Sequence, residues 1–269
     1  MDSFHDFEHA GWERAADHYA DAFGQLTTEA GESLLDGVGI SSSSYLLDVA
    51  TGPGFVAAAA ARRGARVIGV DFSSRMISEA RRRHSGIDFR EGDAERLNFD
   101  DGLFDAVVMN FGLLHLARPE AALSEAHRVL RAGGRYGFSV WAGPNEAVGF
   151  GLVLRAIEEH GRNEVELPEG PPFFRFSAVD ESRRSLEQCG FEDVSVKQLA
   201  LTWRMTSPDA VYEALSKGGV RTSALLRAQT PEAQEAIRVA VRRSVEDYAR
   251  DGAYSIPMPA VLAVGTKRR

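Results

Sequence analysis

The sequence of 269 residues is long enough for a domain with a sizeable core and additional helices around it. Hydrophobic residues make up 44% and charged residues 26%, as in ordinary globular proteins, and the formal net charge is −8. An acidic chain whose basic runs are short is a poor candidate for a nucleic-acid-binding protein. The single cysteine, Cys189, excludes an intrachain disulfide and a metal site built on several thiolates, and we predict no metal site.

The chain begins with a polar, acidic segment that does not resemble a secretory signal. No segment approaches the ~18 apolar residues of a membrane span, so we expect a cytoplasmic protein. The spacing of apolar residues predicts one helix over Trp12 to Phe23 and a second over Thr27 to Leu35. Residues 1–44 are therefore expected to form an N-terminal helical cap.

The stretch from Tyr45 to Asp71, YLLDVATGPGFVAAAAARRGARVIGVD, predicts a strand, a glycine turn, a helix and a second strand. Gly52 and Gly54 let the backbone approach a ligand closely at the start of the helix. Asp71, at the end of the second strand, is placed to accept hydrogen bonds from two ribose hydroxyls. This order of elements predicts a nucleoside-binding site.

Three more short strands follow, at Ile87 to Arg90, Phe104 to Met109 and Arg135 to Trp141. A helix over Ser73 to His84 precedes the first of them and a helix over Pro119 to Leu130 precedes the last, with no hairpin turns between. Short connections and right-handed crossovers then favour an α/β fold with a doubly wound, parallel sheet.

The pattern changes after residue 142. A long strand is predicted over Val194 to Met205 and a last strand over Pro259 to Thr266. Helices predicted over Ser207 to Lys217 and Pro231 to Arg250 lie between them, so about 205–257 is expected to be a helical insertion. We expect one structural domain, in which residues 45–142 form the binding core and 143–269 complete the sheet and supply a lid and an acceptor pocket.

Two cofactors fit the glycine turn. Its sequence GPGFVA matches the G-x-G-x-x-A pattern, so an NAD(P)-dependent oxidoreductase is one hypothesis. Asp48, beside the turn, favours a ligand with an ammonium or sulfonium group instead, because a carboxylate repels a pyrophosphate. Asp93, after the third strand, is placed to bond an adenine amino group, and no constellation for hydride transfer stands out.

Five segments resemble, in family order, the motifs of class I S-adenosylmethionine-dependent methyltransferases: LLDVATGPG, VIGVDFSSRMISEAR, GDAERLNF, FDAVVMNFGLLHL and VLRAGGRYGFSVW. The resemblance covers roughly residues 12–142 and is strongest to the branch that includes the ubiquinone/menaquinone C-methyltransferases. It implies a Rossmann-like sheet of seven strands, mostly parallel with the last strand antiparallel, and S-adenosylmethionine as the methyl donor, with S-adenosylhomocysteine as the product. One departure is Ala50, which stands where the family usually has its first glycine.

The resemblance also implies roles for particular residues. Ala50, Gly52 and Gly54 would lie against the methionine part of the cofactor, near Asp48. Asp71 would hold the ribose. The remaining residues would contact the adenine or line the junction of cofactor and acceptor: Phe72, Asp93 and Ala94 at the adenine, and Asn110 and Phe111 at the junction. Tyr19 is expected either to cover the cofactor or to pack in the core.

Methyl transfer from a sulfonium is an in-line displacement, in which the protein mainly aligns the two reactants and excludes water. His115, after the fourth strand, is the candidate general base if the acceptor must lose a proton, and His18 is a weaker one. Either could equally be structural. Aromatic residues in the less patterned parts predict a small, apolar or aromatic acceptor: Phe150, Phe173, Phe174, Phe176, Trp203 and Tyr212.

The leading hypothesis is a methyltransferase acting on a small molecule, without a nucleic-acid or membrane-spanning partner and with homodimer formation left open. The alternatives are the NAD(P)-dependent oxidoreductase and a protein that binds S-adenosylmethionine but has lost catalysis.

Overall fold

The computed structural model describes residues 3–162 and 164–269. Residues 1, 2 and 163, which fall within the predicted cap and C-terminal part, lie outside the described residues. The binding half of the fold contains these elements in chain order: α1 (Ser3–Val38), β1 (Tyr45–Val49), α2 (Phe55–Arg62), β2 (Arg66–Asp71), α3 (Ser74–Arg83), β3 (Asp88–Glu91), β4 (Phe104–Asn110), a 3₁₀ turn (Leu113–His115), α4 (Pro119–Val129) and β5 (Leu130–Trp141).

The remaining elements complete the sheet and build a second layer beside it. They are α5 (Val148–His160), a 3₁₀ turn (Arg175–Ser177), α6 (Val179–Gln188), β6 (Phe191–Leu199), β7 (Thr202–Met205), α7 (Ala210–Lys217), α8 (Arg221–Arg227), α9 (Pro231–Val245), a 3₁₀ turn (Glu246–Tyr248), β8 (Ala249–Arg250), β9 (Ala253–Pro257) and β10 (Ala260–Lys267).

Seven strands form the main sheet in the order β3-β2-β1-β4-β5-β10-β6. The first five are parallel, whereas β10 runs antiparallel to both of its neighbours, β5 and β6. The predicted doubly wound, mostly parallel sheet with an antiparallel last strand is therefore confirmed. Chain order reverses between β1 and β4, so the switch point of the sheet lies at the end of β1, where a parallel α/β sheet usually binds its ligand.

Both faces of the sheet are buried, as a central parallel sheet requires. On β1, Leu46 belongs to a cluster with α1 and α2, while its neighbour Leu47 belongs to the core on the opposite face. Alternate residues of one strand thus anchor different layers.

The N-terminal region forms one helix of 36 residues instead of the two predicted helices. Gly24, near the expected break, lies inside α1, and a side chain there would meet the Phe55 ring at 3.3 Å. Gly24 is therefore a contact point between α1 and the start of α2.

The single strand predicted over Val194 to Met205 is wrong. The structure divides it into β6, on the edge of the main sheet, and β7, which pairs with β9 in a separate sheet of order β7-β9-β8. The insertion over about 205–257 therefore contains strands as well as helices, and α9 ends at Val245 rather than Arg250.

Candidate functional site

A cleft of about 670 Å³, part of it open to solvent, lies at the switch point of the main sheet. Ten residues predicted for the site line it: Tyr19, Ala50, Gly52, Asp71, Phe72, Asp93, Ala94, Asn110, Phe111 and His115. These residues come from the ends of β1, β2 and β4, the loop after β3, and α1.

The Asp71 carboxylate is the buried acid of this cleft, with 6% of its surface exposed. Its Oδ2 accepts a hydrogen bond from the Gly52 N–H at 2.8 Å, and its Oδ1 accepts one from the Ser73 N–H at 2.9 Å. Burial raises the pKa of Asp71 to about 6, although these two N–H donors act in the opposite direction. Asp71 therefore ties the glycine turn to the end of β2 and presents a carboxylate to the cleft.

Space beside the glycine turn is open at Gly52. A side chain at Gly52 would meet no atom within 4 Å, and its φ of +52° is one that glycine adopts without strain. Gly54 also has positive φ, but a side chain there would collide with the Phe89 ring at 2.6 Å. Gly52 thus borders free space in the cleft, whereas Gly54 does not line it and allows the turn to pack on β3.

Asp48 was predicted beside the cofactor, but it is not among the residues that line the cleft. Its Oδ2 accepts hydrogen bonds from the Thr51 hydroxyl at 2.6 Å and from the Ala57 N–H at 3.0 Å, so it braces both sides of the turn. Its buried Oδ1 has no hydrogen-bond partner among the described residues. Burial raises the pKa of Asp48 to about 7, while its hydrogen bonds act in the opposite direction.

Residues at the end of β4 connect the cleft to the rest of the fold. The Asn110 amide donates to the Thr27 carbonyl of α1 at 2.9 Å, and its Oδ1 accepts from the Ser139 hydroxyl of β5 at 2.6 Å. Phe111 stacks on Trp141 with ring centroids 4.0 Å apart. These contacts hold the junction side of the cleft against α1 and β5.

The adenine side of the predicted site contains two histidines that the sequence did not indicate. His5 and His9, both on α1, contact the Phe72 ring edge-on, with centroids 5.7 and 5.3 Å away. His5 Nε2 also lies 3.5 Å from Asp93 Oδ2. Other cleft residues absent from the prediction are Trp12, Met76, Gly92, Gly112 and Leu116. Gly92 and Gly112 adjoin predicted residues, whereas His5 and Trp12 reach the cleft through the path of α1, which no local pattern reveals.

A second cavity of about 430 Å³, part of it open to solvent, adjoins the cleft and shares Trp12, Tyr19, Phe111 and His115 with it. Seven residues lining it are Phe, Tyr or Trp: Trp12, Tyr19, Phe23, Phe111, Trp141, Phe150 and Phe173. Burial raises the pKa of the Tyr19 phenol, so this hydroxyl stays protonated at neutral pH. The cavity offers an apolar, aromatic surface next to the cleft.

Four of the aromatic residues predicted for an acceptor pocket do not line this cavity. Phe174 and Phe176 pack against neighbouring rings, Phe150 and Phe138 respectively. Trp203 stacks on Phe23 and donates its indole N–H to the Ala22 carbonyl, while Tyr212 is partly buried against the core.

His115 lies where the two cavities meet. Its Nδ1 is 3.0 Å from the Glu8 carboxylate, and the Trp12 and Phe173 rings contact it edge-on. His18, the weaker candidate, is exposed on α1 and lines neither cavity. Within residues 3–162 and 164–269, no cluster of three or more His, Cys, Asp or Glu side chains could hold a metal ion. None of the helices described combines the length and apolarity needed to cross a membrane.

Comparison with known proteins adds three findings. A family model described as a methyltransferase domain matches residues 47–138. The demethylmenaquinone methyltransferase of Beutenbergia cavernae is 42% identical over 128 residues, which cover 46% of this chain and 52% of that protein. The enzyme of the same name from Renibacterium salmoninarum is 31% identical over 175 residues, covering 62% and 74%. The chain thus spans about half the length of the first of these relatives.

Among solved structures, phosphoethanolamine N-methyltransferase 2 of Haemonchus contortus in complex with S-adenosyl-L-methionine superposes with a TM-score of 0.60 at 18% identity. The match covers 100% of this chain and 61% of that one. At this identity the likeness concerns the fold.

Proposed function

Because the chain belongs to the class I S-adenosylmethionine-dependent methyltransferase family, we propose that it transfers a methyl group to an aromatic small molecule of the demethylmenaquinone type. The observation that carries the proposal is the cavity lined by aromatic rings, which opens onto the cofactor cleft through Phe111 and His115. A planar, apolar ring in this cavity would lie beside the methyl donor. The reduced, hydroquinone form is the nucleophile we propose, because methylation at carbon requires an electron-rich ring.

The described residues fit S-adenosylmethionine. Asp71 would accept hydrogen bonds from the ribose hydroxyls, and the open space at Gly52 would receive the methionine part beside Ala50. Phe72, Asp93 and Ala94 would surround the adenine, and Asn110 and Phe111 would face the methyl group. Asp48 and Gly54 would support cofactor binding indirectly, because they hold the glycine turn in its shape. When bound, S-adenosylmethionine supplies an electrophilic methyl group on a sulfonium sulfur.

The three parts of the chain would then have distinct roles. The predicted cap, residues 1–44, would cover the cofactor through Tyr19 and Trp12 of α1. Residues 45–142 would bind the cofactor, and residues 143–269 would close the acceptor cavity with Phe150, Phe173 and the turn between α7 and α8. Exclusion of water by these aromatic walls would favour in-line displacement over hydrolysis.

Neither alternative gains support. The family assignment gives no basis for an NAD(P)-dependent oxidoreductase. It likewise gives no basis for a protein that binds S-adenosylmethionine but has lost catalysis.

The test combines ligand binding with methyl transfer. We expect calorimetry to detect binding of S-adenosylhomocysteine but not of NAD(P). With S-adenosylmethionine and anaerobically reduced 1,4-naphthoquinones, mass spectrometry should detect one added methyl group at a ring carbon. Binding of NAD(P) in place of S-adenosylhomocysteine would refute the proposed reaction, and methylation of amines but not of hydroquinones would refute the proposed acceptor.

A further inference from the structure

A buried carboxylate on α1 contacts His115 from outside the predicted site. The Glu8 side chain has no exposed surface, and its Oε2 lies 3.0 Å from His115 Nδ1. Its Oε1 accepts a hydrogen bond from Arg221 Nε at 2.8 Å. A carboxylate buried without partners would cost several kcal/mol, so pairing of both oxygens is what makes this position tolerable.

Arg221, at the start of α8, fixes the orientation of that carboxylate. Its Nη1 donates to the Pro171 carbonyl at 2.7 Å and its Nη2 to the Leu114 carbonyl at 2.9 Å. The guanidinium also lies over the Phe4 ring, 4.6 Å from its centroid. These contacts hold the guanidinium in place. Glu8 Oε1 therefore stays paired with Arg221, and Oε2 pairs with His115.

This arrangement selects one tautomer of the His115 ring. An ionised carboxylate can only accept hydrogen bonds, so the ring nitrogen next to Glu8 carries the hydrogen. In the neutral imidazole the lone pair then resides on Nε2. The Trp12 and Phe173 rings also contact the imidazole edge-on, and Glu8 and Arg221 supply the charges that pair with each other beside it. Since His115 lines both cavities, Nε2 is the nitrogen available to a ligand.

We propose that Glu8 is a positioning residue that holds His115 as the proton acceptor for a hydroxyl of an aromatic acceptor. The inference rests on the proposed function and assigns the residues that would activate its hydroquinone acceptor. His115 Nε2 takes the hydroxyl proton, and the electron pair left on oxygen is delocalised to a ring carbon. This carbon forms the new C–C bond to the methyl group. The C–S bond breaks at the same time, and its electron pair stays on sulfur. That carbon then releases its own proton to solvent, and the oxygen recovers the proton from His115, so one proton is released overall.

The Glu8→Gln variant distinguishes a role of Glu8 in setting the His115 tautomer from a role that only links α1 to His115. The carbonyl of the introduced amide can still accept from Arg221, whereas its NH₂ group would donate to His115 Nδ1. That donation requires the lone pair on Nδ1 and places the hydrogen on Nε2, so the substitution reverses the tautomer without removing the side chain. A matched control is His18→Gln, since His18 is exposed on the same helix.

The direct test is NMR of the ring nitrogens in the full chain without acceptor, near pH ~8.5, above the range in which an ordinary imidazole titrates. We expect His115 in the wild type to carry its hydrogen on Nδ1 and in Glu8→Gln to carry it on Nε2. A wild-type ring protonated on Nε2 would overturn the inference even if the variant failed to fold. An unchanged tautomer in a folded Glu8→Gln protein would overturn it as well.

Activity gives a second readout, with reduced 1,4-naphthoquinone as the probe. We expect Glu8→Gln and His115→Gln to lower kcat by about 10²–10⁴-fold, the usual contribution of a general base, with S-adenosylhomocysteine affinity kept and His18→Gln unaffected. Equal kcat in wild type and Glu8→Gln would overturn the inference but leave the proposed function intact. A wild type that binds S-adenosylhomocysteine but never methylates the probe would refute the proposed acceptor, while the tautomer measurement would still decide the role of Glu8.

Discussion

Ala50, where the family resemblance implies a glycine, has a backbone conformation that glycine adopts without strain. Its φ is +53°, in the left-handed region where a residue with a Cβ is strained by about 1–2 kcal/mol. The methyl group is accommodated because the facing residue is Gly112. A Cβ on Gly112 would lie 2.6 Å from the Ala50 Cβ. The two positions therefore cannot both carry a side chain, and a Cβ on Gly112 would also lie 2.8 Å from the Met109 Cγ.

We expect Gly112→Ala to lower the free energy of unfolding by about 1–3 kcal/mol, the usual cost of overpacking. Adding Ala50→Gly should restore part of that loss, with a coupling energy of about 0.5–3 kcal/mol between the sites. Urea denaturation of the two single variants and the double variant measures this coupling. Gly86→Ala is the control, since a side chain there would meet nothing within 4 Å. Strictly additive effects would contradict the pairing.

Asp71 combines a structural and a binding role, because it accepts two backbone N–H bonds and also faces the cleft. We expect Asp71→Ala to weaken S-adenosylmethionine binding by about 1–3 kcal/mol, the scale for loss of a charged hydrogen-bonding partner. Calorimetry of this variant, with the exposed Asp100→Ala as control, measures the change. An affinity equal to that of the wild type would remove Asp71 from the cofactor site.

At the scale of elements, α1 couples the cofactor cleft to the rest of the molecule. Its N-terminal half lines the cleft through His5, Trp12 and Tyr19, whereas its C-terminal half packs against the sheet. The N-terminal half is attached to α3 by Glu13, which accepts hydrogen bonds from the Ser73 hydroxyl at 2.7 Å and the Arg75 N–H at 3.3 Å. Ser73 is also the N-cap of α3, where its side chain accepts from Met76 N–H.

We expect Glu13→Ala to loosen the N-terminal half of α1 while leaving its C-terminal half unchanged. The reason is that the lost bonds join only this half to the start of α3. Hydrogen exchange followed by mass spectrometry should show faster exchange before Tyr19 and unaltered exchange around Leu34. Glu29→Ala, an exposed position on the same helix, should leave both halves as they are. Equal acceleration along the whole helix would contradict the predicted local attachment.

The elements that the sequence predicted well are those whose signals are local. Strands β1, β2 and β4 are short, mostly apolar runs, and Ser73 and Pro119 mark helix starts. The hairpin of β8 and β9 was missed although Asp251 and Gly252, both with positive φ, supply the usual two-residue turn. The helix prediction continued to Arg250 because the helical residues before it carry no stop signal.

The residues of the site were likewise predicted where the signal was local and missed where it was not. Residues at the ends of β1, β2 and β4 were predicted because strand ends converge at the switch point. Glu8, His5 and Arg221 could not be predicted, since they reach the site through long-range packing of α1 and α8. The break between β6 and β7 is likewise set by tertiary structure, because the two strands pair with different partners.

For the whole molecule, the buried carboxylates of Asp48 and Asp71 predict one contribution to the pH dependence of stability. Burial raises the pKa of Asp48 to about 7 and that of Asp71 to about 6, above the ordinary value of 3.8 in the unfolded chain. At these two sites the folded protein binds more protons than the unfolded chain between about pH 4 and pH 7, so their contribution to the free energy of unfolding decreases as pH rises through this range. Hydrogen bonding lowers the pKa of Glu125 and burial lowers the pKa of His84 and of His127, so these groups contribute in the opposite direction.

We expect the difference in free energy of unfolding between the wild type and Asp48→Asn, measured by urea denaturation without ligand, to fall as pH rises from ~4 to ~7. The fall should be at most about 1.4 kcal/mol per pH unit. The amide does not titrate, so this difference isolates the contribution of Asp48. Asp100→Asn, at an exposed position, should differ from the wild type by the same amount at every pH. A difference between wild type and Asp48→Asn that grows with pH in this window would contradict the raised pKa of Asp48.

The position of β10 has a consequence for synthesis of the protein on the ribosome. Among the described strands, β6 pairs only with β10, yet residues 200–259 must be translated before β10 exists. Until then, β5 and β6 each present an unpaired edge, and β6 cannot join the sheet. Unpaired strand edges promote association between nascent chains. The last steps of folding should therefore follow translation of β10, and the partly made chain should depend most on chaperones during that interval.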